Sequence, residues 1–78
     1  MSQNDFDMNL TSGVSAFESK HFAKAMTLLS PLAANGNPDA QYRLAVMFQN
    51  GLGHVKNAAE AYKWMRAAAE QGHALAQH

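Results

Sequence analysis

Two helical patterns separated by a glycine-containing turn occupy the range Ala40–Gly72, and they constrain the fold more than any other part of the chain. Residues 40–48 place alanine, leucine, methionine and phenylalanine on one helical face, and Gly51 and Gly53 then interrupt the pattern. Both glycines can adopt a positive φ, which lets the chain turn sharply. A second apolar stripe runs through residues 58–68. The range therefore predicts two helices packed as a hairpin.

Residues at the ends of the second helical pattern support this prediction. Asn57 precedes the pattern as an N-cap, and Glu60 follows three residues later, as in a capping box. Gly72 comes after the last turn and suits a C′ position in the left-handed region. Alanine at the crossing lets the helices approach closely, and Phe48 and Trp64 are expected to supply the bulk of the core.

The same range resembles a Sel1-like repeat, a relative of the tetratricopeptide repeat. That family combines alanine, leucine and an aromatic residue with a Gly-x-Gly turn, a tryptophan and a closing Ala-Ala-Glu-x-Gly segment. The matching residues here are Ala40, Leu44, Phe48, Gly51, Gly53, Ala61, Trp64, Ala68, Ala69, Glu70 and Gly72. Ala45 and His54 depart from the pattern, because they stand where the family has glycine and valine. The resemblance implies a helical solenoid that acts as an adaptor or scaffold in protein complexes.

The chain also repeats itself at an offset of 36 residues. We therefore predict a single all-α domain over residues 1–78, an α-α superhelix of two helix-turn-helix hairpins with a truncated third repeat. The hairpins are expected at residues 5–36 and 37–72, and the stub at residues 73–78 is too short to form a helix without packing on the preceding hairpin. The matched residues of the two hairpins are Ala25 with Ala61, Leu28 with Trp64, Ala33 with Ala69, and Gly36 with Gly72.

Two residues of the first hairpin carry separate structural expectations. Gly13 weakens its helix by about 1 kcal/mol relative to alanine, but its small size would let the second helix pack closely. Pro31 lies in the apolar pattern that begins at Phe22, and it removes a backbone hydrogen bond. We expect a helix that continues to Asn35 with a kink at Pro31. The alternative is a helix that ends near Ser30.

The composition excludes several classes of function. Six basic and six acidic residues cancel, so no charge excess favours nucleic acid or an anionic membrane. The chain has no cysteine, which rules out disulfides and cysteine-based metal or redox sites. No segment is apolar enough for a signal peptide or a membrane span. The sequence as written predicts a cytoplasmic protein, or a periplasmic or secreted one if a signal peptide was removed.

No set of residues predicts catalysis. The serines have no histidine at a helical spacing that would pair with them, and the Gly51–Gly53 turn is too short to cradle a phosphate. His73 and His78 are five residues apart and do not share a helical face. We therefore expect no enzyme activity, no metal site and no cofactor.

Two surfaces are candidates for protein or peptide binding. The family resemblance implies that the first helix of each hairpin lines a concave groove, where amide and small side chains suit an extended peptide. The alternative is a solvated face. The candidate residues are Gln41, Tyr42, Ala45 and Gln49, with Asp5 and Asn9 at the corresponding face of the first hairpin.

The second surface is an apolar edge formed by Met65, Ala68 and Leu75, which no later helix would cover. It predicts a homo-oligomer or a domain swap, with the segment Gly51–Lys56 as the hinge. The sequence therefore favours an interaction module, with a self-assembling structural protein as the alternative. A weaker alternative is an accessory or regulatory subunit of an enzyme.

Overall fold

The chain folds into consecutive helices that pack on one another in sequence order. A computed structural model describes residues 3–77, and the side chains in that range except those of residues 3–7, 74 and 77. The helices are α1 (Gln3–Glu18), α2 (Phe22–Ala34), α3 (Pro38–Asn50), α4 (Ala58–Glu70) and α5 (Ala74–Gln77). No strand occurs within residues 3–77, and the predicted all-α class is confirmed.

The core lies between α2 and α3, and it extends to α1, which packs on α2, and to α4, which packs on α3. Leu29, Leu44 and Met47 are its largest fully buried side chains. More than half of the buried apolar residues are alanines, so the helices can approach one another closely at these positions. The short helix α5 packs on α4. Helix α3 packs against α2 on one side and against α4 on the other.

Each of the first four helices is followed, within two residues, by a residue with positive φ. Lys20, Gly36, Gly51 and Gly72 have φ values of 65°, 97°, 68° and 82°. In each case the amide of the next residue donates to the carbonyl five positions earlier, which closes the last turn. Gly53 also has a positive φ, of 74°. The predicted left-handed conformations at Gly51, Gly53 and Gly72 are confirmed.

Asparagine side chains start the two helices of the second hairpin. The Asn37 Oδ1 accepts a hydrogen bond from the Ala40 amide at 2.9 Å. The Asn57 Oδ1 accepts one from the Glu60 amide at 3.0 Å. Each bond satisfies an amide that has no partner within the helix. The predicted N-cap at Asn57 is confirmed, and Asn37 caps α3 in the same way.

The reciprocal half of the predicted capping box is not formed. The Asn57 amide donates to the Phe48 carbonyl at 2.9 Å, and the Glu60 carboxylate accepts instead from the Trp64 indole N–H at 3.1 Å. The Trp64 side chain is only half-buried, and the Lys63 ammonium lies 4.5 Å from its ring centroid. Trp64 was expected to supply bulk to the core, and the indole does pack against the core, although it is only partly buried and its N–H is bound at the surface.

Gly13 lies at the closest approach of α1 and α2. A Cβ added there would be 2.6 Å from Cδ2 and 2.9 Å from Cγ of the fully buried Leu29. Real Cβ atoms do not come this close to another carbon, so only glycine fits without a shift of Leu29. The predicted role of Gly13 in close packing is confirmed.

Helix α2 continues through Pro31 to Ala34. The expectation of a continuous helix is confirmed, and the alternative that it ends near Ser30 is wrong. The Ser30 hydroxyl donates to the Met26 carbonyl at 2.7 Å. The last turn after the proline is closed by the Asn35 amide, which donates to the Pro31 carbonyl at 3.1 Å.

Candidate interaction surface

An open groove between α3 and α4 is lined mainly by apolar surface. It has a volume of about 270 Å³ and is lined by Gln49, Ala58, Ala61, Tyr62 and Met65. The Tyr62 side chain is 66% exposed, and Met65 is half-buried. We call this surface the open α4 face. Apolar atoms of this face contact solvent, whereas the corresponding face of α2, the second helix of the first hairpin, is buried.

The first hairpin shows what covers the corresponding surface. At an offset of 36 residues, the lining residues correspond to residues 13, 22, 25, 26 and 29. In the first hairpin Ala25 and Leu29 are completely buried, and Phe22 and Met26 pack against the same core as Leu44 of α3. The open α4 face is therefore the counterpart of the surface on which α3 is seated.

Two of the residues predicted to line a solvent-filled groove are buried instead. Gln41 is 5% exposed and Ala45 is completely inaccessible. The Gln41 Nε2 donates to the Ala33 carbonyl at 3.1 Å, and its Oε1 accepts from the Gln71 Nε2 at 2.9 Å. Because α3 is packed between α2 and α4, this part of the stripe joins helices and does not face solvent. The prediction of a solvated stripe is wrong for Gln41 and Ala45.

Gln49, at the other end of the stripe, is exposed and lies on the rim of the open α4 face. Asn9 is exposed on α1, whereas the Asp5 side chain lies outside the described residues. Binding of a partner by Gln49, Asn9 or Asp5 stays a prediction. Of these, Gln49 adjoins the largest area of uncovered apolar surface.

Tyr42 takes part in a contact between the ends of the second hairpin. Its ring stacks on the His73 imidazole, with 4.9 Å between centroids and an interplanar angle of 17°. The His73 Nε2 lies 3.3 Å from the Asp39 carboxylate, and its Nδ1 faces the Ala76 amide at 3.4 Å. These contacts are compatible with the tautomer that carries its proton on Nε2. Tyr42 therefore helps to fix the start of α5 against α3.

The apolar edge predicted for self-association is only partly uncovered. Leu75 is 63% exposed and Met65 is half-buried, but Ala68 is completely buried. The chain turns back at the end of α4, where the Ala68 carbonyl accepts the His73 amide at 3.1 Å and α5 packs against α4. The expectation that Ala68 is bare is wrong, because the start of the third repeat closes over this turn.

A charged pair lies beside the open α4 face. The Arg66 Nε donates to the Glu70 Oε1 at 2.9 Å, and both side chains are exposed. This hydrogen bond, with a smaller effect from Tyr62, raises the pKa of the already basic Arg66. The guanidinium therefore keeps its charge beside the tyrosine at every physiological pH.

In the part of the chain that the structure describes, no three histidine, aspartate or glutamate side chains come together in a group that could hold a metal ion. In the same part, no helix has the length and apolar character needed to cross a bilayer.

Comparison with known proteins assigns the second hairpin to a family. Residues 38–73 match the Sel1 repeat model, a range that contains α3, the glycine turn and α4. Neither a curated protein nor a solved structure matches the chain. Sel1 repeats form helical solenoids, generally mediate protein–protein interaction and are typically non-catalytic. The second hairpin of this chain is therefore a Sel1 repeat.

Proposed function

We propose that this protein is an adaptor or scaffold module that binds a protein partner through the open α4 face. The observation that carries this proposal is the exposure of Tyr62 and Met65 beside Ala58 and Ala61. Sel1 repeats generally mediate protein–protein interaction, which supports the class of function.

The chemistry of the surface suits a protein partner. An apolar patch that stays in contact with water raises the free energy of the unbound protein, and such patches mark interaction sites. Tyr62 offers a ring for burial and a hydroxyl for a hydrogen bond, and tyrosine is enriched at binding hot spots. Gln49 and Arg66 supply a polar rim, which interfaces of this kind usually have.

The test is affinity capture from a native lysate with the wild-type protein and surface variants. Tyr62→Lys and Met65→Lys each place a charge in the open α4 face, and we expect both to lose the specifically captured protein. Val55→Lys is the control, because Val55 is an exposed apolar residue in the turn before α4 and lies outside the groove. Capture that is equal for all three variants would contradict the proposal.

Self-assembly is a second candidate, favoured by the exposure of Leu75 and the partial exposure of Met65. Two copies would then cover each other's apolar residues, either end to end or by exchange of a helix about the hinge Gly51–Lys56. Sedimentation over a range of concentrations tests this candidate. A wild-type assembly that Met65→Lys with Leu75→Lys converts to monomer supports it, and a wild-type monomer at all concentrations excludes it.

A further inference from the structure

We infer that the open α4 face binds an amphipathic helix of a partner protein that carries the apolar stripe of α3, a leucine followed after two residues by methionine and phenylalanine. This inference rests on the proposed function and specifies the partner. It follows from the way in which the chain covers the corresponding surface of its own first hairpin.

Helix α3 supplies the template for this contact. It places Leu44, Met47 and Phe48 in one core with Ala25 and Leu29 of α2. Of these, Leu44 is 2% exposed and Met47 is completely buried. The stripe therefore shares a core with the face of α2 that carries Ala25 and Leu29.

The open α4 face presents a comparable surface at the same positions. Ala61 corresponds to Ala25, and Met65 to Leu29, so a small and a long apolar side chain recur one helical turn apart. Leu29 is completely buried in the core that it shares with Leu44 and Met47 of α3, whereas Met65 is half-exposed. A helix with the α3 stripe would therefore bury Met65 as α3 buries Leu29.

Helix α5 leaves this part of α4 accessible. The groove is lined by residues 58–65 of α4, in its first two turns, and α5 follows the tight turn at the other end of that helix. Ala76 of α5 corresponds to Ala40 of α3 at the offset of 36 residues. The partner helix therefore needs only the leucine, methionine and phenylalanine of the stripe, since α5 already occupies the place of its first turn.

The first helix of a second copy does not have the required stripe. At the positions of Leu44, Met47 and Phe48, α1 carries a methionine and two hydroxyl residues, and all three are exposed to solvent. These residues are Met8, Thr11 and Ser12. Head-to-tail stacking of copies would place the two hydroxyls against Met65 and Tyr62, so a helix of the α3 type is the better occupant.

Two peptides of equal length from this chain test the inference against the full-length protein. The probe is residues 42–51, the part of α3 that follows its first turn, and the control is residues 6–15, which lie 36 positions earlier. We expect saturable binding of the probe in a titration followed by NMR, with shifts at Tyr62 and Met65, and none with the control. Affinity should be modest, because a free peptide of this length must pay the cost of helix formation.

Variants of the protein locate the binding site. Met65→Lys should weaken binding of the probe by about tenfold or more, because a charge would be buried against the apolar stripe. Val55→Lys, outside the groove, should leave the affinity unchanged. Thermal melts of both variants confirm that the fold is intact before binding is compared.

Three results would overturn the inference: no binding of the probe, equal binding of both peptides, or probe binding that Met65→Lys does not weaken. The last result, with shifts at Leu29, indicates that the probe replaces the chain's own α3 in the first hairpin. Failure of the proposed function is distinguishable. If Met65→Lys still abolishes capture of a protein from lysate while the probe fails to bind, the module binds a partner of different shape.

Discussion

Substitution of Gly53 by alanine tests whether the α3–α4 turn touches the first hairpin. A Cβ at Gly53 would lie 2.6 Å from the carbonyl oxygen and 2.7 Å from the carbonyl carbon of Phe22, the first residue of α2. Gly51, two residues earlier, has nothing closer than Lys56 Cβ at 3.5 Å. The φ values are similar, at 74° and 68°, so the two glycines differ mainly in this contact.

The expected magnitudes follow from that difference. A positive φ costs alanine about 1 kcal/mol relative to glycine at either position. Gly53→Ala adds about 1–3 kcal/mol, because backbone atoms of α2 must move and cannot rotate away as a side chain would. We therefore expect Gly51→Ala to lower the free energy of unfolding by about 1 kcal/mol and Gly53→Ala by about 2–4 kcal/mol, out of a total of about 4–12 kcal/mol for a chain of this length.

Urea and thermal denaturation measure both changes. Each kcal/mol lowers the midpoint by about 4–8 °C in a domain of this size. Gly72→Ala is a second control, because its φ is 82° and nothing lies within 4 Å of the added Cβ. Equal losses for Gly53→Ala, Gly51→Ala and Gly72→Ala would refute the close contact between the turn and α2.

Three further substitutions probe the packing and the helix ends. Gly13→Ala gains about 1 kcal/mol of helix propensity but overpacks Leu29 at a cost of about 1–3 kcal/mol. We expect a net loss of stability in urea melts, and we expect this loss to disappear in a Leu29→Ala background. A Gly13→Ala variant that is more stable than the wild type would contradict the prediction. Lys20→Gly relieves a positive φ and should stabilise by about 1 kcal/mol, so an unchanged thermal midpoint would argue against it. Gln41→Leu leaves the carbonyl of the buried Ala33 and the amide of the exposed Gln71 without this partner, and it should cost about 1–3 kcal/mol. The same change at the exposed Gln49 should be nearly neutral in the same melts.

The sequence predicted the features that depend on local chemistry. Glycines at positions 51, 53 and 72 adopt the left-handed conformation that their place after a helical pattern indicated. Asn57 caps α4 through its side chain, as its position before the apolar stripe indicated. The spacing typical of a tetratricopeptide unit also identified Gly13 as a position whose small size lets the second helix pack closely. The predictions for the glycine turns and the N-cap required no knowledge of which helix lies next to which.

Burial depended on neighbours that the periodicity of one helix does not reveal. The periodicity of α3 places Gln41 on a polar stripe, yet Gln41 is buried because α3 has packed helices on both sides. Its hydrogen bonds are satisfied there by Ala33 and Gln71. Ala68 was expected to be bare, and the chain turns back over it. Trp64 packs against the core as expected, although Glu60 holds the indole N–H at the surface. The errors at Gln41 and Ala68 concerned the side of a helix on which the next element packs.

The hydrogen bonds of Gln41 have a consequence for how a solenoid of such hairpins deforms. Gln71, Gln41 and the Ala33 carbonyl form a continuous chain of bonds along one edge, joining the C-terminal ends of α4 and α2 through α3. On the opposite edge, Gly53 meets Phe22 by close packing. Hydrogen bonds resist separation, whereas a van der Waals contact strongly resists only compression. The two hairpins should therefore separate more easily at the turn edge than at the amide edge. Bending that opens the turn edge is then easier than bending that opens the amide edge.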